Sequence, residues 1–314
     1  MAAMELAISV AQSVVILFGL GAVGFAVVAR KTVPEQTFAT LVPFALDIAL
    51  PALVLVEIAE KLDPQANPNW HLFPFWMVGF YGVSFAFAWL TSHWAKPENR
   101  RDFIGSLLYH NAIFFPLVII KGSYGHASNL VPLLFLLTMV SPPLVFSTYP
   151  LIWGKRGQPI AWSKIINPVL IAAGIGLALK LSGAVPHVPA PVKSIMVMLA
   201  GLAIPLLMLI MGGNVYVDFR KKLGFAYGEL GKYLLLKLLV FPMVVLGLLL
   251  LLRPDSDLAF LLFLQSAVPA LSAVPIFAER CGGNRHLCNQ LLVGGFIASV
   301  VTLPIMLRVF DSVY

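Results

Sequence analysis

Long apolar runs, separated by short polar stretches, follow one another along the whole chain. An α-helix needs roughly 20 mostly apolar residues to cross a hydrocarbon core about 30 Å thick, and each run comes close to that length. The pattern predicts ten membrane-spanning helices, which we call spans 1 to 10, at residues 8–29, 38–59, 72–94, 103–121, 130–153, 164–182, 191–217, 229–252, 257–279 and 287–309. The expected fold class is therefore an all-α integral membrane protein.

The composition agrees with this pattern, because 60% of the residues are hydrophobic and 11% are charged, and the mean hydropathy is +0.91. Such values are typical of a polytopic membrane protein. The first apolar run is too long for the core of a signal peptide and has no lysine or arginine before it, so we expect it to be retained as span 1. Cys281 and Cys288 fit no metal-binding or disulfide pattern.

The basic residues are unevenly divided between the two sides of the predicted helices. The side holding the loops after spans 1, 3, 5, 7 and 9 has fourteen: Arg30, Lys31, Lys96, Arg100, Arg101, Lys155, Arg156, Lys164, Arg220, Lys221, Lys222, Lys232, Arg280 and Arg285. The opposite side has six: Lys61, Lys121, Lys180, Lys193, Arg253 and Arg308. Lys237 falls inside span 8 and is left out. Because cytoplasmic loops carry the excess of Lys and Arg, we expect both termini to be extracytoplasmic, in a bacterial inner membrane.

Prolines recur at a nearly constant separation, which predicts an internal repeat. Pro51 in span 2 and Pro205 in span 7 lie 154 residues apart (205 − 51), and Pro116 in span 4 and Pro275 in span 9 lie 159 apart (275 − 116). The chain therefore reads as two five-helix repeats, residues 1–157 and 158–314. An odd number of helices per repeat inverts the second copy in the membrane, and inverted repeats are typical of transporters.

The matched prolines of spans 4 and 9 predict two broken helices at the same depth. Proline lacks the N–H that would bond the carbonyl four residues back, and irregular backbone at membrane depth persists only where it is buried in protein or lines a wet cavity. The half-helix that follows each break offers N–H groups and positive partial charge to an anion. A lone proline is usually just a kink, which is the expectation for Pro51 and Pro205, whereas Pro269 is expected to widen the break in span 9.

Several stretches resemble the auxin efflux carrier family of membrane transporters, which includes plant PIN exporters and bacterial permeases for small organic acids such as malate or malonate. They are "LDIALPALVLVEIA", "NAIFFPLVIIKGSYG", "INPVLIAAGIGLAL" and "AVPIFAERCGG" after "SAVPAL". The resemblance covers nearly the whole chain. It implies a ten-helix fold of two inverted repeats, similar to sodium/bile acid symporters, in which spans 4 and 9 cross at Pro116 and Pro275. It also implies that Asn111 contributes to the substrate site.

Polar side chains inside the predicted spans are the candidate site residues, because polar groups are costly within a membrane and those that occur there usually have a functional role. Asn111 and His110 precede Pro116, Gln265 precedes Pro269, and Asp47 precedes Pro51. The alternative for each is a packing or interhelical hydrogen-bonding role.

Two charged residues near helix ends are expected to meet the membrane interface. Glu57 is expected to reach headgroup water, and Lys121 to extend its amine toward the interface or to attract an anion.

The leading functional hypothesis is a secondary active or facilitative carrier of small organic anions that works by alternating access. The alternative is a sodium- or proton-coupled symporter or antiporter of the same architecture. A membrane-embedded enzyme is disfavoured because no His-Glu metal motif, phosphate loop or serine elbow occurs in the sequence. We expect no cofactor, no metal and no nucleic-acid partner; the expected partners are the anion, the bilayer, a coupling ion and a second copy in a homodimer.

Overall fold

The computed structural model describes residues 2–124, 128–154, 166–219 and 226–314. These residues form helices and no β-strand; their one extended pairing is an isolated antiparallel bridge between His110 and Ala270. The expected all-α class is confirmed. The predicted boundary between the repeats, at residues 157 and 158, lies outside the described residues.

Fifteen α-helices are present in the described part of the chain. The first eight are α1 (Ala2–Ala29), α2 (Glu35–Phe44), α3 (Leu50–Val56), α4 (Phe73–Thr91), α5 (Arg100–Leu108), α6 (Phe114–Tyr124), α7 (Leu130–Thr138) and α8 (Ser141–Ile152). The others are α9 (Pro168–Leu181), α10 (Ala190–Phe219), α11 (Tyr227–Leu235), α12 (Phe241–Leu252), α13 (Ser256–Ala267), α14 (Val274–Arg280) and α15 (Arg285–Val313). Segments of π-helix are Ala45–Ala49, Glu57–Lys61 and Leu236–Val240, and 3₁₀ turns are Trp70–Leu72, Ser92–Trp94, Pro97–Asn99 and Val185–His187.

Six helical stretches among the described residues are long and apolar enough to cross a membrane: Thr40–Lys61, Trp70–Trp94, Leu130–Ile152, Ala190–Val217, Tyr227–Leu252 and Arg285–Val313. Shorter apolar helical stretches are Gly19–Ala29, Phe114–Ser123, Pro168–Leu181 and Ser256–Ala267. An integral membrane protein is therefore supported, while the count of ten spanning helices stays a prediction.

A first helix group consists of α1, α2, α3, α9 and α10. The helix α10 packs along α1 and against α2 and α3, and α9 packs against α3. Small residues allow α1 and α10 to touch backbone to backbone, because a Cβ atom added at Gly212 would meet the backbone of Gly21, and one added at Gly24 would meet the backbone of Leu209. This close approach is typical of helix pairs in membranes, where small residues at the interface take the place of hydrophobic burial.

A second helix group surrounds the two short helix pairs α5–α6 and α13–α14. The helix α4 packs against α5 and α7, and α15 packs against α11, α13 and α14. Burial is most complete here, since Leu130–Thr138 and Leu258–Ala267 are buried along their whole lengths. The two groups meet where α1 packs against α6 and α15.

A buried ion pair connects the two groups and corrects one expectation. Glu57 does not meet headgroup water, because it is 2% exposed and its carboxylate lies 2.8 Å from the Lys121 amine and 3.0 Å from the Lys61 amine. A carboxylate buried in this way is tolerated only when it is paired. The pair with Lys121 joins the π-helical segment after α3 to α6.

Candidate functional site

Two interruptions of the backbone face each other inside the second helix group. The first break comprises residues 109–113, between the end of α5 at Leu108 and the start of α6 at Phe114. The second break comprises residues 268–273, between the end of α13 at Ala267 and the start of α14 at Val274. The sequence predicted that spans 4 and 9 are each interrupted, and in the structure both interruptions come just before the marker prolines.

Backbone hydrogen bonds join the two breaks. The Asn111 amide donates to the Pro269 carbonyl at 2.9 Å, and the Leu271 amide donates to the Tyr109 carbonyl at 2.9 Å. The Ala270 amide donates to the Tyr233 hydroxyl at 3.1 Å. Unpaired backbone groups are very costly at membrane depth, so each break supplies partners that allow the other to stay unwound.

The position of Pro116 explains a third contact between the breaks. Pro116 is the third residue of α6 and has no N–H to donate to the Ala112 carbonyl, four residues back. The Gln265 side-chain amide donates to that carbonyl instead, at 2.8 Å. The carbonyl that proline leaves free is therefore satisfied by a side chain from α13, a residue 153 positions later in the chain.

Three buried polar atoms at the breaks have no hydrogen-bond partner among the described residues: Asn111 Nδ2, His110 Nε2 and Gln265 Oε1. The three side chains belong to residues no more than 1% exposed. Their other polar atoms are occupied, since Asn111 Oδ1 accepts from the Phe114 amide at 3.2 Å and so holds the start of α6. Buried polar groups normally find partners. The arrangement therefore offers an amide donor, an amide acceptor and an imidazole nitrogen to a ligand.

Aromatic side chains of α4 cover His110. The His110 ring centroid lies 5.0 Å from that of Phe80 and 5.0 Å from that of Tyr81. Tyr81 also lines a cavity of about 460 Å³, together with Leu108 and Thr148.

Lys237 is a buried charged residue at this site that the sequence analysis left out. It lies in the π-helical segment Leu236–Val240, is 0% exposed, and donates from Nζ to the Leu107 carbonyl at 3.1 Å. That carbonyl is in the last turn of α5, where helix carbonyls lack intrahelical partners and carry negative partial charge. A lysine in the middle of an apolar span is itself a sequence signal of function, and it would have been sufficient to find this residue.

The structure brings together some of the predicted site residues and not others. The paired breaks bring together His110, Asn111, Gln265 and Pro269, and Pro116 and Pro275 lie in the first turns of the half-helices that follow.

Asp47 lies in the first helix group. Its π-helical segment Ala45–Ala49 packs against α9 and α10, and its side chain is exposed. A substrate-binding role for Asp47 stays a prediction.

Comparison with known families gives one match. A family model described as "Membrane transport protein" matches residues 9–161 and, a second time, residues 157–307. No curated protein matches the chain. The two matches cover nearly the whole chain, including both breaks.

Proposed function

The chain belongs to the membrane transport protein family of the auxin efflux carriers, and from this premise we propose that it carries small organic anions such as carboxylates across a membrane by alternating access. The family consists of transporters and not of enzymes. We propose that the substrate is held where the two breaks meet.

The observation that carries the proposal is the set of unpartnered, buried polar atoms at the paired breaks. Asn111 Nδ2 is a donor without an acceptor, and it lies beside the first turn of α6, whose N–H groups and dipole favour negative charge. Lys237 adds a buried amine within the same helix group, which is positively charged when it is protonated. The Asn111 donor, the start of α6 and a protonated Lys237 favour an anionic ligand over a cationic one, and the unpartnered Gln265 Oε1 can accept a hydrogen bond from a hydroxyl group or a water molecule bound with it.

We propose further that ten helices form two inverted repeats, residues 1–157 and 158–314, in an architecture like that of sodium/bile acid symporters. Two observations support this: the family model matches once in each half, and the half-helices after the breaks begin 160 residues apart, at Phe114 and Val274 (274 − 114). The two helix groups would move relative to each other in the manner of an elevator, with the breaks carried by the second group. A homodimer is the assembly that we propose.

Coupling to sodium or to a proton is the second candidate within the same architecture. Neither break contains an acidic residue, which disfavours a sodium site built from carboxylates at this place.

The test of the proposed function is solute flux into proteoliposomes with a panel of mono- and dicarboxylates, under separately imposed voltage, proton and sodium gradients. We expect flux of at least one carboxylate.

The role of Asn111 has its own test. We expect Asn111→Ala to weaken binding of the transported carboxylate by about 1–3 kcal/mol, because the hydrogen bond from the buried amide to the ligand is lost. A binding titration on purified protein measures this loss of affinity. Asn99→Ala, in the 3₁₀ turn before α5, is the matched control and should bind like the parent.

Absence of flux for every carboxylate would contradict the proposed function. Flux with unchanged affinity in Asn111→Ala would leave the function in place and remove Asn111 from the site. Loss of thermal stability in Asn111→Ala, without loss of affinity, would show that capping of α6 is its only role.

The orientation of the chain is a separate proposal with its own test. We expect a reporter fused after Tyr314 to be extracytoplasmic and one inserted in the loop 155–164 to be cytoplasmic. Fourteen of the twenty basic residues that were assigned to a side of the membrane are on the same side as that loop, and such an excess is typical of the cytoplasmic side. Opposite signals from the two reporters are the expected result. If both report the cytoplasm, the predicted number of spans is wrong.

A further inference from the structure

Lys237 has an unusual environment for a charged side chain. It is completely buried. Within the described part of the chain its Nζ has one hydrogen-bond acceptor, the Leu107 carbonyl, and the centroid of the Phe241 ring lies 5.2 Å from Nζ. An ammonium group has three donors. No carboxylate lies within ion-pair distance of Nζ among the described residues.

The surroundings of Lys237 connect it to the paired breaks. Phe241 packs on Phe80 with ring centroids 5.7 Å apart, and Phe80 packs on His110 at 5.0 Å. The Leu107 carbonyl, which accepts from Lys237, is two residues before the first break. Lys237 is therefore connected to His110 through two packed rings and contacts the chain two residues before the first break, and a charge acts over such short separations in a low-dielectric interior.

Other titratable groups on the elements around Lys237 are already engaged or lie elsewhere. Asp102 on α5 accepts at Oδ1 from the Trp153 indole at 2.7 Å and from the Asn284 amide at 3.0 Å. Tyr233 on α11 accepts from the Ala270 amide. On α11, Glu229 and Lys232 pair with each other. The remaining titratable groups on the packed elements are Tyr81 on α4, Arg100 and Arg101 on α5, Tyr227 on α11, Asp257 at the start of α13, and Arg285, His286, Cys288, Arg308 and Asp311 on α15.

We propose that Lys237 couples anion binding to proton uptake, so that one proton is carried with each anion. The inference rests on the proposed function. A charge buried without a counter-ion is strongly unfavourable, and an anion bound at the breaks supplies the counter-ion. The proton on Nζ and the anion at the site therefore favour one another. A monocarboxylate would move with no net charge, and a dicarboxylate dianion would move with a net charge of minus one.

The test is proton uptake on anion binding by the purified full-length protein. Malonate, succinate and indole-3-acetate are the probes, added in weak buffer containing a pH indicator at mildly alkaline pH, where all three are ionised and cannot supply the proton. We expect the parent to take up about one proton per anion bound. Its apparent affinity for the anion should fall about tenfold per unit rise in pH, over the pH range in which anion binding is coupled to proton uptake.

Two substitutions at Lys237 separate the coupling from the binding. Lys237→Arg keeps a permanent charge and is expected to bind the anion without proton uptake and with little pH dependence. Lys237→Met is expected to lose proton uptake together with affinity. Lys96→Met, at an exposed lysine, is the control and should behave like the parent.

The outcomes distinguish the coupling from the proposed function. Binding without proton uptake in the parent, or unchanged uptake in Lys237→Arg, would overturn the coupling and leave the anion site intact. Loss of uptake in His110→Asn with full uptake in Lys237→Met would assign the proton to His110 and overturn the role of Lys237. If no probe binds or is transported, the proposed function itself fails, and this inference fails with it.

Discussion

Replacing Pro116 with alanine is expected to reduce transport about tenfold or more while the protein still inserts and folds. The substitution adds an N–H that can reach the Ala112 carbonyl, four residues back, which now accepts from Gln265 at 2.8 Å. The two donors then compete, and α6 can extend backward into the first break. A continuous helix is readily tolerated in a membrane, so the effect should fall on the site and not on the amount of folded protein.

The same reasoning applies to Pro275, the second residue of α14. An alanine there adds an N–H that can reach the Leu271 carbonyl, which now accepts from the Val274 amide at 3.0 Å. Leu271 also donates across to Tyr109, so a change in the second break is transmitted to the first. We expect Pro275→Ala to reduce transport to a similar extent as Pro116→Ala.

The measurement for both variants is flux of the identified carboxylate in liposomes, normalised to inserted protein. Pro51→Ala is the matched control, because Pro51 lies in a helical stretch that continues from Thr40 to Lys61 without a break. If both break variants transport like the parent while Pro51→Ala fails, the substrate site does not lie at the paired breaks.

The second large effect is expected at Gly212, where α10 touches α1. A side chain at this position would collide with the backbone of Gly21, and backbone cannot move aside as the end of a flexible side chain can. Gly212→Val should therefore separate the two helices and lower the free energy of unfolding by about 1–3 kcal/mol or more. The measurement is the thermal midpoint of the detergent-solubilised protein, followed by size-exclusion chromatography.

Gly201 gives a matched control on the same helix, since a Cβ atom added there meets no atom within 4 Å. Gly201→Val introduces the same side chain into α10 at a position with open space around it. Its thermal midpoint should remain near that of the parent. Equal losses in both variants would mean that valine destabilises α10 in general, and that the contact with α1 is not the cause.

Much of the candidate site was predictable from the sequence. Polar residues next to prolines in apolar spans identified His110, Asn111 and Gln265, and the structure brings all three to the paired breaks. The same rule selected Asp47, which lies on the first helix group, because proximity to a proline says nothing about which helices will be neighbours. Lys237 was not predicted as a site residue. It was considered only in the count of basic residues on each side of the membrane, which excludes residues inside a span.

The sequence by itself determined the all-α membrane class, the transporter family and the candidate residues, because hydropathy and motif are properties of short stretches. Only the tertiary structure decided which residues are unwound and which groups satisfy their backbone atoms. Pro205 lies inside the continuous α10, whereas Pro116 and Pro275 lie in the first turn of a new helix after a break. The physical reason is that an unwound backbone in a membrane needs hydrogen-bond partners from elsewhere. The two breaks supply these to each other across more than 150 residues of chain, with Gln265 reaching Ala112 over 153 positions.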